Sequence, residues 1–331
     1  MSVLVTADLH LTDAPRDADR WNLFPWIRDQ VKRKDIDHVL ILGDITDAKD
    51  RHSATLVNRL VEEISDLAKL TNVILLRGNH DGLDDKEAFF AFTHEIPNVD
   101  FVINPTERKL IGVGACIFLP ASRNPQEAWS EIDFSDFDYI FCHQTFKGAK
   151  AENGQELSGC SSSLFGGFRG SVISGDIHVP QTVGKIIEYV GAPYRIHFGD
   201  SFIPRCMLLQ GSKYTNLRFP SKQREVADIG TLSDLQKMDY LMGSQIKVRV
   251  NLKRSEYPEW PKLRKGIQAL ADKRGWELCG ISLIPTKSKD RDIEPDKLAT
   301  DPMDILQTYI NSKRLNKDIK SIGIELLKEA M

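Results

Sequence analysis

Five short polar clusters hold the residue types from which a divalent-cation site is made: Asp8-Leu9-His10, Gly43-Asp44-Ile45-Thr46-Asp47, Gly78-Asn79-His80-Asp81, Cys142-His143-Gln144 and Gly175-Asp176-Ile177-His178. Any one of them is weak evidence, because a lone histidine after an apolar run is more often a core or surface residue than a ligand. The five in this order are strong evidence. Carboxylate, amide and imidazole donors suit two hard-to-borderline dications such as Mn²⁺, Mg²⁺, Fe²⁺ or Zn²⁺ rather than a thiolate site. Two such ions, about 3.5–4 Å apart, need an anion between them. Asp44 is the expected bridge, since Gly43 lets the backbone turn tightly and present the carboxylate to a cleft. His38, His52, His94 and His197 lie outside the clusters and are read as structural.

To position such a site, strands must stop where the clusters begin. Val3-Leu4-Val5-Thr6, Val39-Leu40-Ile41-Leu42 and Val73-Ile74-Leu75-Leu76 read as buried strands, each ending in one of the clusters. Residues 20–33 and 54–69 read as helices, the second because Leu56, Leu60, Ile64 and Leu67 recur at near-helical spacing. Further strands are expected at 110–119, 138–142, 171–174, 185–190 and 206–209. This alternation predicts βα units. Asn153 to Gly170 is a Gly- and Ser-rich loop, long enough to be either functional or mobile.

After residue 210 the character changes. Residues 245–251 alternate like a half-exposed strand, 258–274 read as a helix and Glu277 to Ile284 as a strand, together a small βαβ unit. Residues 286–302 have linker composition. Two amphipathic helices are expected beyond them, one with the stripe Ile305, Leu306, Tyr309 and Ile310 and one with Leu315, Ile319, Ile322 and Leu326. Such helices dock either on their own domain or on a partner protein.

The 331 residues, 41% apolar and 27% charged, fit about two folded domains and exclude a disordered chain. No window approaches 18 uninterrupted apolar residues, so membrane spanning is not expected. Five cysteines, an odd number with no Cys-x-x-Cys pair, point to reduced thiols and a cytoplasmic location, the host cytoplasm if phage-encoded. The net charge of −3 divides unevenly: residues 1–206 hold 21 basic against 30 acidic residues, and residues 207–331 hold 23 against 17. Carboxylate-rich clefts hold cations and basic surfaces meet polyanions, although solvated faces produce the same counts.

The order and spacing of the clusters resemble the calcineurin-like metallophosphoesterases, with D-x-H, G-D-x-x-D, G-N-H-D/E, a lone His and G-H-x-H, over roughly residues 3–200. Within them the chain looks most like the SbcD-type DNA repair and recombination nucleases, including phage relatives. The features are Asp47 in the second block, Tyr189-Val190-Gly191-Ala192-Pro193 followed by Phe198-Gly199-Asp200, and the βαβ cap with its helical tail. The resemblance implies a four-layer α/β/β/α sandwich over 1–210, a DNA-binding cap over 211–285, and a linker with partner-docking helices over 286–331. It also implies one metal on Asp8, His10, the bridging Asp44 and His178, and a second on Asp44, Asn79, His143 and Asp176. His80 would not bind metal; it would stabilise the transition state or protonate the leaving oxygen. The Asp47 carboxylate is expected to orient His80 by a hydrogen bond. The chain departs from the pattern at Asp176, where the family has the first His of G-H-x-H, and this extra carboxylate favours Mn²⁺ or Mg²⁺ over Zn²⁺.

Cations and aromatics interleave in the cap, with Lys253, Arg254, Lys262, Arg264 and Lys265 as candidate contacts to a nucleic-acid backbone, although an ordinary exposed helix has the same composition. The resemblance implies a 3′ to 5′ exonuclease on duplex ends with endonuclease action on single strands, a homodimer, and assembly with a coiled-coil ATPase of the SbcC type through the C-terminal helices. The alternatives are a stand-alone phosphoesterase acting on small esters or phosphoproteins, and a scaffold that has lost its chemistry.

Overall fold

The computed structural model describes residues 2–285 and Ile310. Its strands are β1 (Val3–Thr6), β2 (His38–Leu42), β3 (Asn72–Leu76), β4 (Val99–Val102), β5 (Thr106–Leu110), β6 (Gly114–Leu119), β7 (Tyr139–His143) and β8 (Ser171–Gly175). They continue as β9 (Gln181–Val183), β10 (Ile187–Tyr189), β11 (Cys206–Gln210), β12 (Lys213–Leu217), β13 (Arg224–Ile229), β14 (Gln245–Leu252) and β15 (Glu277–Pro285). One six-stranded sheet has the order β12-β11-β1-β2-β3-β4 and the other β5-β6-β7-β8-β10-β9. β1 to β4 run parallel to one another, as do β6 to β8.

These strands are nearly continuous apolar runs because both faces of each sheet are covered. Side chains alternate between faces. Leu4, Val39, Ile41 and Leu75 therefore pack outward with Leu60, Ile64 and Leu67 of the helix Ala54–Ala68, in a core that also takes Phe24 and Ile27 of the helix Leu23–Lys34. Val3, Val5, Ala7, Leu40 and Leu42 point the other way and meet Phe118, Phe141 and Ile173 of the second sheet. The helix Ala54–Ala68 starts at Ser53, whose Oγ accepts the Leu56 N–H at 3.1 Å, a cap of the usual kind. The helix Leu23–Lys34 ends on Asp35 in the left-handed region, after Lys32, Arg33 and Lys34 place positive charge at its carboxyl end.

The result is the expected sandwich, with one difference in its outer layer. The second sheet is covered by short helical turns, Pro125–Ala128, Phe134–Asp136 and Ser162–Phe165, rather than long helices. Phe165 and Phe168 are buried there with Trp129 and Phe146, so the Gly- and Ser-rich loop is anchored by its aromatics. The run 110–119 holds β6 and only the last residue of its hairpin partner β5, and 185–190 holds β10 alone, its partner β9 lying before it. β4, β12 and β13 escape the sequence pattern because their short stretches are too polar or too brief to stand out.

The expected boundary after residue 210 falls inside the β11–β12 hairpin, since β12 is the edge strand of the first sheet. The small sheet begins at β13, has the order β13-β14-β15, and pairs β13 parallel to β14. Residues Met1–Val250 and Trp260–Leu283 form one compact unit; Asn251–Glu259 group with the chain from Ile284 onward in a second. The C-terminal stripes lie outside the described residues, apart from Ile310, which is helical and buried.

Buried charge ties the small sheet to the sandwich. Asp17, Arg20 and Arg224 are 1%, 5% and 3% exposed. Arg224 Nη2 donates to Asp17 Oδ1 and its Nη1 to the Ile196 carbonyl, while Arg20 donates to the carbonyls of Ile196 and His10. Removing one partner of such a pair leaves the other charge buried and unpaired, so Arg224→Ala is expected to lower unfolding free energy by roughly 3–5 kcal/mol at pH 7 in urea denaturation. Burial pushes the Asp17 carboxyl up, but Arg20, the Thr12 hydroxyl and Arg224 outweigh it and hold it below its ordinary 3.8. The stabilisation is therefore present above that ordinary value and is lost as pH falls through the lower folded value, where wild type and variant should converge.

Candidate metal centre

Every predicted ligand lies at or just beyond the carboxyl end of a strand. Asp8 and His10 follow β1, Asp44 follows β2, Asn79 and His80 follow β3, His143 ends β7, and Asp176 and His178 follow β8. Ligands gather at this edge because the chain leaves the ladder there with polar groups free. The segments after β1 and β2 stay side by side, with the N–H groups of Asp8, His10 and Leu11 donating to the carbonyls of Gly43, Asp44 and Ile45.

Among the described residues six non-glycines have left-handed backbone, and four of them are Asp8 (φ 55°), His10 (41°), Asp44 (54°) and Asp176 (82°). Each such residue costs of order 1–3 kcal/mol, a strain found where a site dictates the backbone. Gly43 at φ 83° is demanded as well by space, since a Cβ there would lie 2.3 Å from His143 Nδ1. A Cβ on Gly78 would lie 2.3 Å from Asp44 Oδ1.

The donor atoms form two adjoining groups that share Asp44. On one side His10 Nε2 lies 3.1 Å from His178 Nε2 and 3.6 Å from Asp44 Oδ2. On the other, His143 Nε2 lies 3.4 Å from Asp44 Oδ1, 3.3 Å from Asn79 Oδ1 and 3.7 Å from Asp176 Oδ1. Asp8, with an unpartnered buried Oδ2, groups with His10 and His178 and also with Asp44 and His143. Ligands about 2.0–2.2 Å from a common ion sit roughly 3.0–3.5 Å from one another, so this set fits two cations. Two imidazole nitrogens 3.1 Å apart likewise need a shared proton or a cation between them.

The tautomers agree with that fit. His143 Nδ1 faces the Leu42 carbonyl at 2.7 Å, which directs Nε2 to the cleft. Burial pushes the Asp8 carboxyl up against the pull of His143 and His178. Burial acts on Asp44 in the same sense, but His143, His10 and His80 hold its carboxyl well below the usual range. Burial lowers the proton affinity of His143 and His178, and the carboxylates facing them, Asp44 for the first and Glu152 for the second, more than reverse this.

Asp81, to which the sequence attached no role, clamps the bridge. Its oxygens accept the N–H groups of Asp44, Ile45 and Gly78 at 2.9, 2.9 and 2.7 Å. Burial and the Asp44 charge push its carboxyl up to about 6. Its place in the third cluster was a signal, but only the fold shows three donors converging on it. Thr145, whose hydroxyl donates to Asp176 Oδ2, and Glu152, whose Oε1 lies 2.7 Å from His178 Nδ1, were missed for the same reason.

The expectation for Asp47 needs correction. His80 Nδ1 faces the backbone carbonyl of Asp47 at 2.9 Å, while the Asp47 carboxylate turns to His10 Nδ1 at 3.4 Å. A main-chain carbonyl is fixed by the loop, so the side chain is free to serve the ligand instead. Asp47→Ala should therefore weaken metal binding by about 10–100-fold in a Mn²⁺ titration, with turnover at saturating metal near wild type. Lost turnover with unchanged metal affinity would return the carboxylate to His80.

A candidate phosphoesterase, 244L, of Invertebrate iridescent virus 6 is 28% identical over 207 residues, covering 59% of this chain and 71% of the viral protein. Among solved structures, a dimetal phosphatase from Danio rerio aligns over 66% of this chain and 99% of its own, with 11% identity and a TM-score of 0.41. Purple acid phosphatase PPD1 from yellow lupin seeds aligns over 63% and 49%, with 11% identity and a TM-score of 0.36. Residues 1–180, more than half of the chain, match the family model for calcineurin-like phosphoesterases, and the protein belongs to that family of phosphoester hydrolases.

Proposed function

We propose that the protein is a metal-dependent nuclease that hydrolyses the phosphodiester backbone of DNA. The observation that carries this reading is a trough of about 590 Å³ beside the metal centre, lined by Arg16, His197, Phe198, Arg224, Lys247 and Arg249 among others. The His197 and His178 ring centroids are 5.8 Å apart, so the trough adjoins the ligands. Lys247 Nζ lies 4.3 Å from the centroid of the Phe198 ring, a cation held over an aromatic face.

The five candidate contacts named from the sequence do not line this trough; Lys247 and Arg249, from the same basic stretch, do. In β14 the buried Ile246, Val248 and Val250 face one way and Lys247 and Arg249 the other. The helix Trp260–Arg274 buries Ile267 and Ala271, and its Lys262, Arg264 and Lys265 are exposed. Lys253 and Arg254 are exposed and fall in the other unit.

Bound by these donors, two divalent ions would polarise a phosphoryl oxygen and lower the pKa of a bound water. The protein supplies the rest. Asp44 faces both ligand groups, and Asn79 and His143 orient the second. His80, with Nδ1 donating to the Asp47 carbonyl, presents Nε2 to the cleft, where it can pass a proton to the leaving oxygen. On this reading Mn²⁺ is the activating ion, and the segment beyond residue 285 joins the protein, as a dimer, to a coiled-coil ATPase.

A second reading, a stand-alone phosphoesterase acting on small esters, is favoured by the viral relative's name. It is also favoured by a separate cavity of about 250 Å³ that touches Asn79, His143 and Asp176. A labelled linear duplex incubated with Mn²⁺ separates the two. The nuclease reading expects degradation by the wild type and none by His80→Ala. It also expects Lys247→Ala to reduce the salt slope of DNA binding by about one unit. Hydrolysis of a chromogenic phosphodiester with no action on DNA would establish the second reading instead.

A further inference from the structure

From the loop after β7 we infer that Thr145 and Glu152 are positioning residues, each fixing one ligand of a different metal of the pair. The inference rests on the dinuclear reading of the centre and adds what holds Asp176 and His178 in place. The two ligands are neighbours in sequence, separated by Ile177, yet they serve opposite ligand groups.

Asp176 carries the chain's departure from the family pattern, and a carboxylate there raises a problem an imidazole does not. It has two equivalent oxygens, so it can rotate or chelate. The Thr145 hydroxyl donates to Oδ2, which leaves Oδ1 facing Asn79 Nδ2 at 3.4 Å and His143 Nε2 at 3.7 Å. One oxygen is thus occupied outside the centre, and the other is directed into the second group. The left-handed backbone at Asp176 is held as well, because its N–H donates to Asp8 Oδ1 at 3.0 Å.

His178 has the complementary arrangement. Its Nε2 faces His10, and Glu152 Oε1 lies 2.7 Å from Nδ1, although the ring is turned so that the N–H does not point straight at the oxygen. A carboxylate behind a ligating imidazole fixes its tautomer and orientation. Glu152 is well placed to do so because it sits at the tip of a small hairpin, with Lys150 bridged to Glu156 and the Ala151 N–H donating to the Gln155 carbonyl.

The loop that carries both residues is strapped down on either side of the ligand pair. Phe146 is fully buried, and its N–H donates to Tyr189 Oη at 2.8 Å. The Cys160 N–H donates to the Thr145 carbonyl at 3.0 Å. Lys150 exchanges two hydrogen bonds with the Gln181 amide, at 2.8 and 2.7 Å, three residues beyond His178. A rigid loop can therefore impose orientation on both ligands at once.

The test is Mn²⁺ binding to the metal-stripped full chain, by calorimetry and by electron paramagnetic resonance. Thr145→Val keeps the side-chain shape and removes the hydroxyl, Thr145→Ser restores it, and Glu152→Gln keeps the size and removes the charge. Thr145→Val is expected to weaken one of two sites by about 10–100-fold, so that intermediate Mn²⁺ gives an uncoupled signal where the wild type gives a coupled pair. Thr145→Ser should recover the coupled signal, and Glu152→Gln should weaken the other site. Wild-type affinity at both sites in Thr145→Val and Glu152→Gln would overturn the inference. Equal loss at both sites together with a lower Tm would overturn it too, by showing a loop that only supports the fold. A wild type that binds a single Mn²⁺ would instead defeat the dinuclear reading itself. If Thr145→Val does not fold, the comparison of Glu152→Gln with wild type still decides whether the two sites respond separately.

Discussion

One carboxylate must face two cations at once, and much of the architecture follows from that. Asp44 offers one oxygen to the group around His10 and the other to the group around His143. It can do so only in a left-handed backbone conformation, pinned by Asp81 through three N–H groups and flanked by two glycines with no room for a Cβ. The clamp joins the segments after β2 and β3, so the bridge is fixed by main chain as much as by side chain. Strain at Asp8, His10 and Asp176 has the same origin: the backbone accepts unfavourable torsions to aim short side chains at a common point.

Burial gives that point its chemistry. Asp8, His10, Asp44 and His143 are each at most 4% exposed, and such a concentration of ionisable groups is costly unless opposite charge is close. Carboxylates and imidazoles compensate one another in part, which is why the Asp44 carboxyl is held down while His143 is held up. Divalent cations on the same donors would complete the compensation. Outside the centre, Asp17, Arg20 and Arg224 solve the same problem with fixed charges, and there the pairing joins the small sheet to the segment bearing His10.

The convergence of the candidate ligands was legible in the sequence because each cluster stands directly after an apolar run, and the carboxyl ends of parallel strands converge. The helices showed for a similar reason, since Leu56, Leu60, Ile64 and Leu67 repeat at the period of a buried stripe. Contacts set by convergence in space were not legible. Nothing in the local pattern says that Asp47 offers its carbonyl to His80 and its carboxylate to His10, or that Arg16 lines the same trough as Lys247, more than two hundred residues away. The conspicuous cations of Trp260–Arg274 drew attention by density, whereas Lys247 and Arg249 gain their place from strand alternation. β12 went unseen because Lys213-Tyr214-Thr215-Asn216-Leu217 is an exposed edge with no apolar face to repeat.

The His143 ring reaches across to the Leu42 carbonyl, a bond between the two sheets as well as a choice of tautomer. Each ligand group draws on both sheets, with Asp8, His10, Asp44 and Asn79 from the first and His143, Asp176 and His178 from the second. The thickness of the apolar layer between them, filled by Val5, Ala7, Leu40, Leu42, Phe141 and Ile173, is thus a dimension of the centre. A close-packed layer acts as a gauge block: adding a methylene there pushes the sheets apart and removing one lets them settle. Side-chain volume well away from any polar atom thereby sets the spacing between ligands, and this layer and the ligand set can vary only together.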